Sequence, residues 1–296
     1  MTSERVSQRT FIGISMLLFA ASMALTIAWC GSMSAMDEMK MPGPSQPSVA
    51  SGALGLLPGD PSQPSVASGA LGLLPGDGGT MSMMWMPMPG QSWPGTATAF
   101  LGMWLVMMVA MMLPSLVPML LRYRQTAART SAAQLGWLTL IVATAYFFVW
   151  TLFGAVAFLI GAAVTLLEMQ LPLLARAVPT AIGAIVLIAG ALQFSGWKAH
   201  HLACCRGTSR CCDTLSANML TAWRHGLRLG AHCVHCCFGL TAVLLVIGVM
   251  DLRAMALVTA AISVERLTPG GVRAAQFIGV GLLAAGSFLI AQTAMA

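Results

Sequence analysis

The chain has 296 residues, 57% hydrophobic and 8% charged, with 15 Lys and Arg against nine Asp and Glu, a net charge of +6 and a mean hydropathy of +0.81. Soluble domains carry about 25% charged residues, so this composition excludes a water-soluble globule and a disordered chain. The small positive excess reads as loop bias around membrane spans rather than as a footprint for nucleic acid, and the first partner is the lipid bilayer.

A hydrocarbon core of ~30 Å needs ~20 apolar residues of helix. Apolar blocks meet this at 11–30, 98–121, 136–160, 178–196, 231–250 and 274–293, and 254–268 adds another if Glu265 and Arg266 sit at its edge. The expected fold class is all-α, a polytopic transmembrane helix bundle of about seven helices, six if 254–268 does not cross. Residues 1–30 form an N-terminal tail and first helix, 31–97 an extracytoplasmic loop, and 98–296 a membrane domain of five to six helices with a cytoplasmic loop at 197–230. The first block is too long for a signal-peptide core, and Ala28, Trp29, Cys30 and Gly31 make a poor cleavage site, so it is expected to be retained.

With the N-terminus in the cytoplasm, twelve of the fifteen basic residues fall inside and Lys40, Arg176 and Arg253 outside. That asymmetry orients the chain as a multi-pass membrane protein with its N-terminus inside.

The outer loop holds a perfect duplication, PSQPSVASGALGLLPGD at 44–60 and again at 61–77. Rich in Pro, Gly and Ser and without helical period, it reads as a spacer. Methionines flank it: Met33, Met36, Met39 and Met41 before, and Met81, Met83, Met84, Met86 and Met88, with Trp85, after. Thioethers are soft ligands that favour Cu(I), so this loop reads either as metal capture or as an apolar segment lying on the bilayer.

The second helix carries Met103, Met107 and Met111 at i, i+4 and i+8, with Met108 and Met112 beside them. One stripe results, serving as a ligand ladder or as packing. Pro114 and Pro118 each remove a helix hydrogen bond and predict a kink.

Seven of the eight cysteines and all five histidines lie within 200–237: His200, His201, Cys204, Cys205, Cys211, Cys212, His225, His232, Cys233, His235, Cys236 and Cys237. Cys30 stands apart. Reduced cytosolic thiols clustered with histidines point to metal binding or redox chemistry. Cys233 shares a helix face with Cys236 and Cys237, as does His232 with Cys236. An apolar block beginning at 231 places them at a helix N-terminus, which favours thiolate. The expected site is Cys233, Cys236 and Cys237, with His232, His235, His201, Cys204 or Cys205 completing it, and with Met107, Met111, Met83, Met84 and Met86 on the route. The expected cargo is copper as Cu(I), with zinc as the alternative. Glu265 inside an apolar helix is a functional candidate, read either as a ligand or as one half of an ion pair with Arg266 or Arg273. No phosphate-binding loop, HExxH or Gly-x-Ser-x-Gly elbow occurs, so no catalytic residue is assigned.

The segments MWLVMMVAMMLPSLVPM (103–119), WKAHHLACCR (197–206) and the stretch from Trp223 to Pro269 containing HCVHCC resemble bacterial predicted metal-binding integral membrane proteins, whose members are sometimes labelled copper chaperones. The resemblance covers roughly 98–290. In that family Cys-Leu-x-x-Cys-Arg follows the fourth helix. Here His201 stands at its first position, with Cys205 and Arg206 at the later ones. The resemblance implies copper trafficking or delivery to a metal-accepting protein. The rival readings are a membrane thiol oxidoreductase and a factor loading metal into a membrane enzyme.

Overall fold

The computed structural model describes residues 2–39, 92–126, 131–205, 218–249 and 251–295. Among them are eight helices and no strand: α1 (Thr2–Met39), α2 (Trp93–Thr126), α3 (Ala132–Gln170), α4 (Pro172–Leu192), α5 (Gly196–Cys205), α6 (Met219–Ile247), α7 (Leu252–Leu267) and α8 (Gly271–Met295). The tandem duplication, Met83, Met84 and Met86, and Cys211 with Cys212 lie outside the described residues.

Local chemistry explains the boundaries. Ser131 caps α3 by accepting from the Gln134 amide at 3.4 Å, and Asp251 caps α7 by accepting from the Arg253 and Ala254 amides at 2.7 and 3.2 Å. Pro172 opens α4 where a helix needs no amide donor. Gly248 ends α6 at φ 134°, a conformation that side chains resist.

Five helices are long and apolar enough to cross a membrane: α1, α2, α3, α6 and α8. A sixth crossing would combine α4 with α5, which bend by 67° at their junction. The expectation of seven separate spans therefore narrows. At 16 residues α7 reaches about 24 Å, short of a ~30 Å core. Most of 197–230 is helical, as α5 and the first turns of α6, rather than loop. The helix expected to begin near 231 starts twelve residues earlier, at Met219. Helix α2 runs on past Pro114 and Pro118, and the Ser115 hydroxyl donates to the Met112 carbonyl at 3.0 Å.

Small residues decide which helices meet. On α6, Gly226, Gly230, Cys233 and Cys237 follow at i, i+4, i+7 and i+11, and this stripe lies against α3. A Cβ on Gly226 would come within 2.5 Å of the Val142 carbonyl, and one on Gly230 within 3.0 Å of the Tyr146 carbonyl. The two helices thus run parallel, backbone close to backbone. Helices α4 and α8 use the same device in antiparallel sense. A Cβ on Gly190 would lie 3.0 Å from the Leu283 amide nitrogen, and one on Gly286 2.9 Å from that of Leu187. Helix α2 runs antiparallel to α3, locked by the buried Trp104 indole, which donates to the Trp150 carbonyl at 3.0 Å. The core where α2, α3 and α6 converge contains Met107, Met108, Met111 and Met112, together with Tyr146, Cys233, Cys236 and Cys237.

Candidate metal centre

Cys233 lies 14 residues from either end of α6, at the middle of a 29-residue helix. The helix N-terminus invoked from the sequence is therefore about 21 Å away, and its dipole has no part in this site. Three contacts position the thiol instead. The glycine stripe seats α6 on α3, the Tyr146 hydroxyl lies 2.8 Å from Cys233 Sγ, and Met112 Sδ lies 4.0 Å from it.

Cys205, at the end of α5, completes a string of thiols. Cys205, Cys236, Cys237 and Cys233 lie close enough together for each to act electrostatically on its neighbours. All four are buried, and no disulfide joins them. Among the described residues no three Cys, His, Asp or Glu side chains form a group that could hold a metal ion. The soft donors come as adjacent thiol pairs, with a thioether beside Cys233.

The histidines form a second layer, between α5 and α6. His201 Nδ1 lies 2.9 Å from His232 Nδ1, and the His201 and His235 rings stack with centroids 5.0 Å apart. Trp197 closes on both, its ring 4.9 Å from His201 and 5.5 Å from His235. His235 is exposed, and its Nδ1 lies 2.7 Å from the Ala231 carbonyl. Cys204 meets His200, with Sγ 3.9 Å from Nε2. His225 is elsewhere, stacked on Tyr123. The expected mixed Cys/His set is thus sorted into an inner sulfur layer and an outer imidazole layer.

Two buried cations border the sulfur layer. Lys198 Nζ sits 3.0 and 2.8 Å from the two Glu265 oxygens and also donates to Gln193 Oε1. Glu265 therefore pairs with Lys198, correcting the expectation of Arg266 or Arg273. The Arg266 side chain goes to neutral groups: Nη1 donates to Ser115 Oγ at 2.8 Å and Nη2 to Cys205 Sγ at 3.1 Å, while its buried Nε has no partner. A guanidinium inside the bundle is costly without an anion, so its place beside the thiols is a chemical property of the site.

On α2, Met107 and Met111 are buried with Met108 and Met112, and Met112 reaches the thiols while Met107 borders a separate cavity with Cys30. Sequence reasoning missed Tyr146 and Lys198. Tyr146 could have been found, since one of two tyrosines in the chain placed mid-span needs a hydroxyl partner. The Gly226-x-x-x-Gly230 pattern also announces a close helix contact.

No curated protein and no solved structure matches the chain. Residues 101–289 match the PpoB2 family model, described as copper chaperone. The matched segment is well over half of the chain, runs from within α2 to within α8, and contains the whole thiol string and imidazole layer. It agrees with the kinship implied by the Met-Met-Leu-Pro-Ser and Cys-x-x-Cys-Cys segments, and the chain belongs to this family.

Proposed function

We propose that the chain is a multi-pass protein of the bacterial inner membrane that binds Cu(I) as cargo and delivers it to a metal-accepting protein. The observation that carries this reading is the buried sulfur string Cys205, Cys236, Cys237 and Cys233, with Met112 Sδ 4.0 Å from Cys233. Thiolate and thioether sulfur select Cu(I). A structural zinc ion asks for a closed tetrahedron of four ligands, which paired thiols do not supply. Charge points the same way. As two thiols bind Cu(I) they release two protons, and the resulting complex carries one negative charge, opposite to Arg266. The family description as copper chaperone supports the same metal.

The test is metal content. Full-length protein purified in detergent under reducing, oxygen-free conditions and loaded with Cu(I) retains copper against a competing chelator, whereas protein loaded with zinc loses it. A wild-type protein that retains no copper, or zinc in preference, overturns the reading.

The orientation proposed has the N-terminus in the cytoplasm. Of the twelve basic residues counted inside, Arg124, Lys198 and Arg266 are buried in the bundle, which leaves nine (12 − 3) against three. The antiparallel α4 and α8 support a C-terminus on the outer side if α4 descends toward the cytoplasm, with the 16-residue α7 carrying the chain back across between α6 and α8 as a seventh, short crossing. Reporter fusions check this. A fusion after Arg210 is active as a cytoplasmic reporter, and fusions within 44–77 or after Ala296 as exported ones. An exported signal after Arg210 reverses the orientation.

A further inference from the structure

A cavity between α1, α2 and α7 is bordered by Cys30, Met103, Met107 and Met255, with Thr26 and Trp29 beside them. Four sulfur-bearing side chains from three helices thus converge on one space, although Cys30 is 225 residues away from Met255 in the chain (255 − 30). Cys30 and α1 lie outside the matched family segment, so a part of the chain beyond that segment completes this cavity.

We propose that this cavity is a second soft-metal site, taking a monovalent ion, Cu(I) or its analogue Ag(I), through Cys30 and the thioethers of Met103, Met107 and Met255. The inference rests on the copper reading above but concerns a different site. First, the donors around the cavity are soft. The Thr26 hydroxyl already donates to the Ser22 carbonyl at 2.8 Å, and a hard cation would find no carboxylate or ring of carbonyls there. Second, the charge balances without help. One thiol loses its proton as its sulfur bonds the ion, thioethers add no charge, and the complex with a monovalent ion is neutral. A divalent ion would leave a net positive charge among apolar walls, which is costly.

Third, the cavity connects to the thiol string. From Met103 the α2 stripe passes through Met107 to Met111 in steps of four residues, about 6 Å of rise each. Met112, next to Met111, touches Cys233. The buried methionines 107, 108, 111 and 112 therefore run along α2 from the cavity to the thiols. Thioethers are neutral donors and thiolates anionic ones, so a thioether-rich site binds more weakly than a dithiolate one, and the gradient runs from the cavity toward Cys233.

The experiment is Ag(I) titration of the purified full-length protein in detergent. A Cys30→Ser/Met107→Leu variant saturates about one equivalent below wild type, while Cys233→Ser/Cys237→Ser loses the tighter binding and keeps the cavity equivalent. A Met107→Leu/Met255→Leu variant keeps volume and polarity close to native, a class of change that cores tolerate well, so it folds even if the Cys30 variant does not. It too binds about one equivalent less. Unchanged stoichiometry in both cavity variants overturns the second site and leaves the thiol site standing. A wild-type protein that binds no Ag(I) overturns both.

Discussion

Replacing Cys233 and Cys237 with serine is expected to abolish most Cu(I) binding while leaving the bundle folded. The two thiols occupy the i and i+4 positions of one α6 face, both fully buried, and Cys233 is the thiol that Met112 approaches. Serine is slightly smaller, and the new hydroxyls have partners to hand. The one at position 233 meets Tyr146 Oη, and both can reach helix carbonyls one turn back. Thermal unfolding in detergent should therefore shift little. Loss of the groups that merely orient a ligand costs metal sites about 10–100-fold in affinity, so loss of two ligands exceeds 100-fold. The measurement is copper retained by matched preparations in a chelator competition. The Cys205 and Cys236 pair remains and accounts for any weak residual binding. Equal retention in the double variant and wild type would place the cargo elsewhere.

The second large effect comes from a residue with no chemistry of its own. Gly226→Leu forces α6 away from α3, because its Cβ would meet the Val142 carbonyl at 2.5 Å and the Ala145 Cβ at 2.6 Å. Backbone cannot swing aside as a side chain can. Overpacking typically costs about 1–3 kcal/mol, and a rigid contact with backbone lies at or above the top of that range. Displacement of α6 also withdraws Cys233 from Tyr146 and Met112, so the variant loses thermal stability and metal together. Gly102→Leu is the matched control, since nothing lies within 4 Å of a Cβ there. Unfolding temperatures of the two variants, measured in one detergent, decide the matter. A Gly226→Leu protein as stable as Gly102→Leu would show that α3 and α6 are not in close contact.

The sequence was informative wherever a single helix suffices to express the signal. Apolar length and absent charge revealed the helices, because each must cover its backbone before it packs against anything. The confinement of thiols and imidazoles to 200–237 marked the region of the site, and the motifs around them marked the family. Same-face spacing of Cys233 with Cys237 follows from helix geometry alone and persists in the bundle. The start of α6 was not legible, since Arg224 and Arg228 interrupt the apolar block and hydropathy could not show that the helix continues through them.

Only the tertiary structure decided which of the ligands stand together. Cys205 joins the thiols because α5 bends by 67° from α4 and packs on α6, while His201 and His235 gather against Trp197 and His232 against His201. Lys198 takes Glu265, leaving Arg266, its neighbour in sequence, to the thiols, because successive residues on a helix point about 100° apart and face different partners. Cys30 appeared isolated in the chain and is drawn beside Met103, Met107 and Met255 by the packing of α1 and α7 on α2. Local periodicity sets the direction of a side chain from its own axis. The identity of what it meets depends on how distant helices cross, and here glycines at the contact points set that crossing.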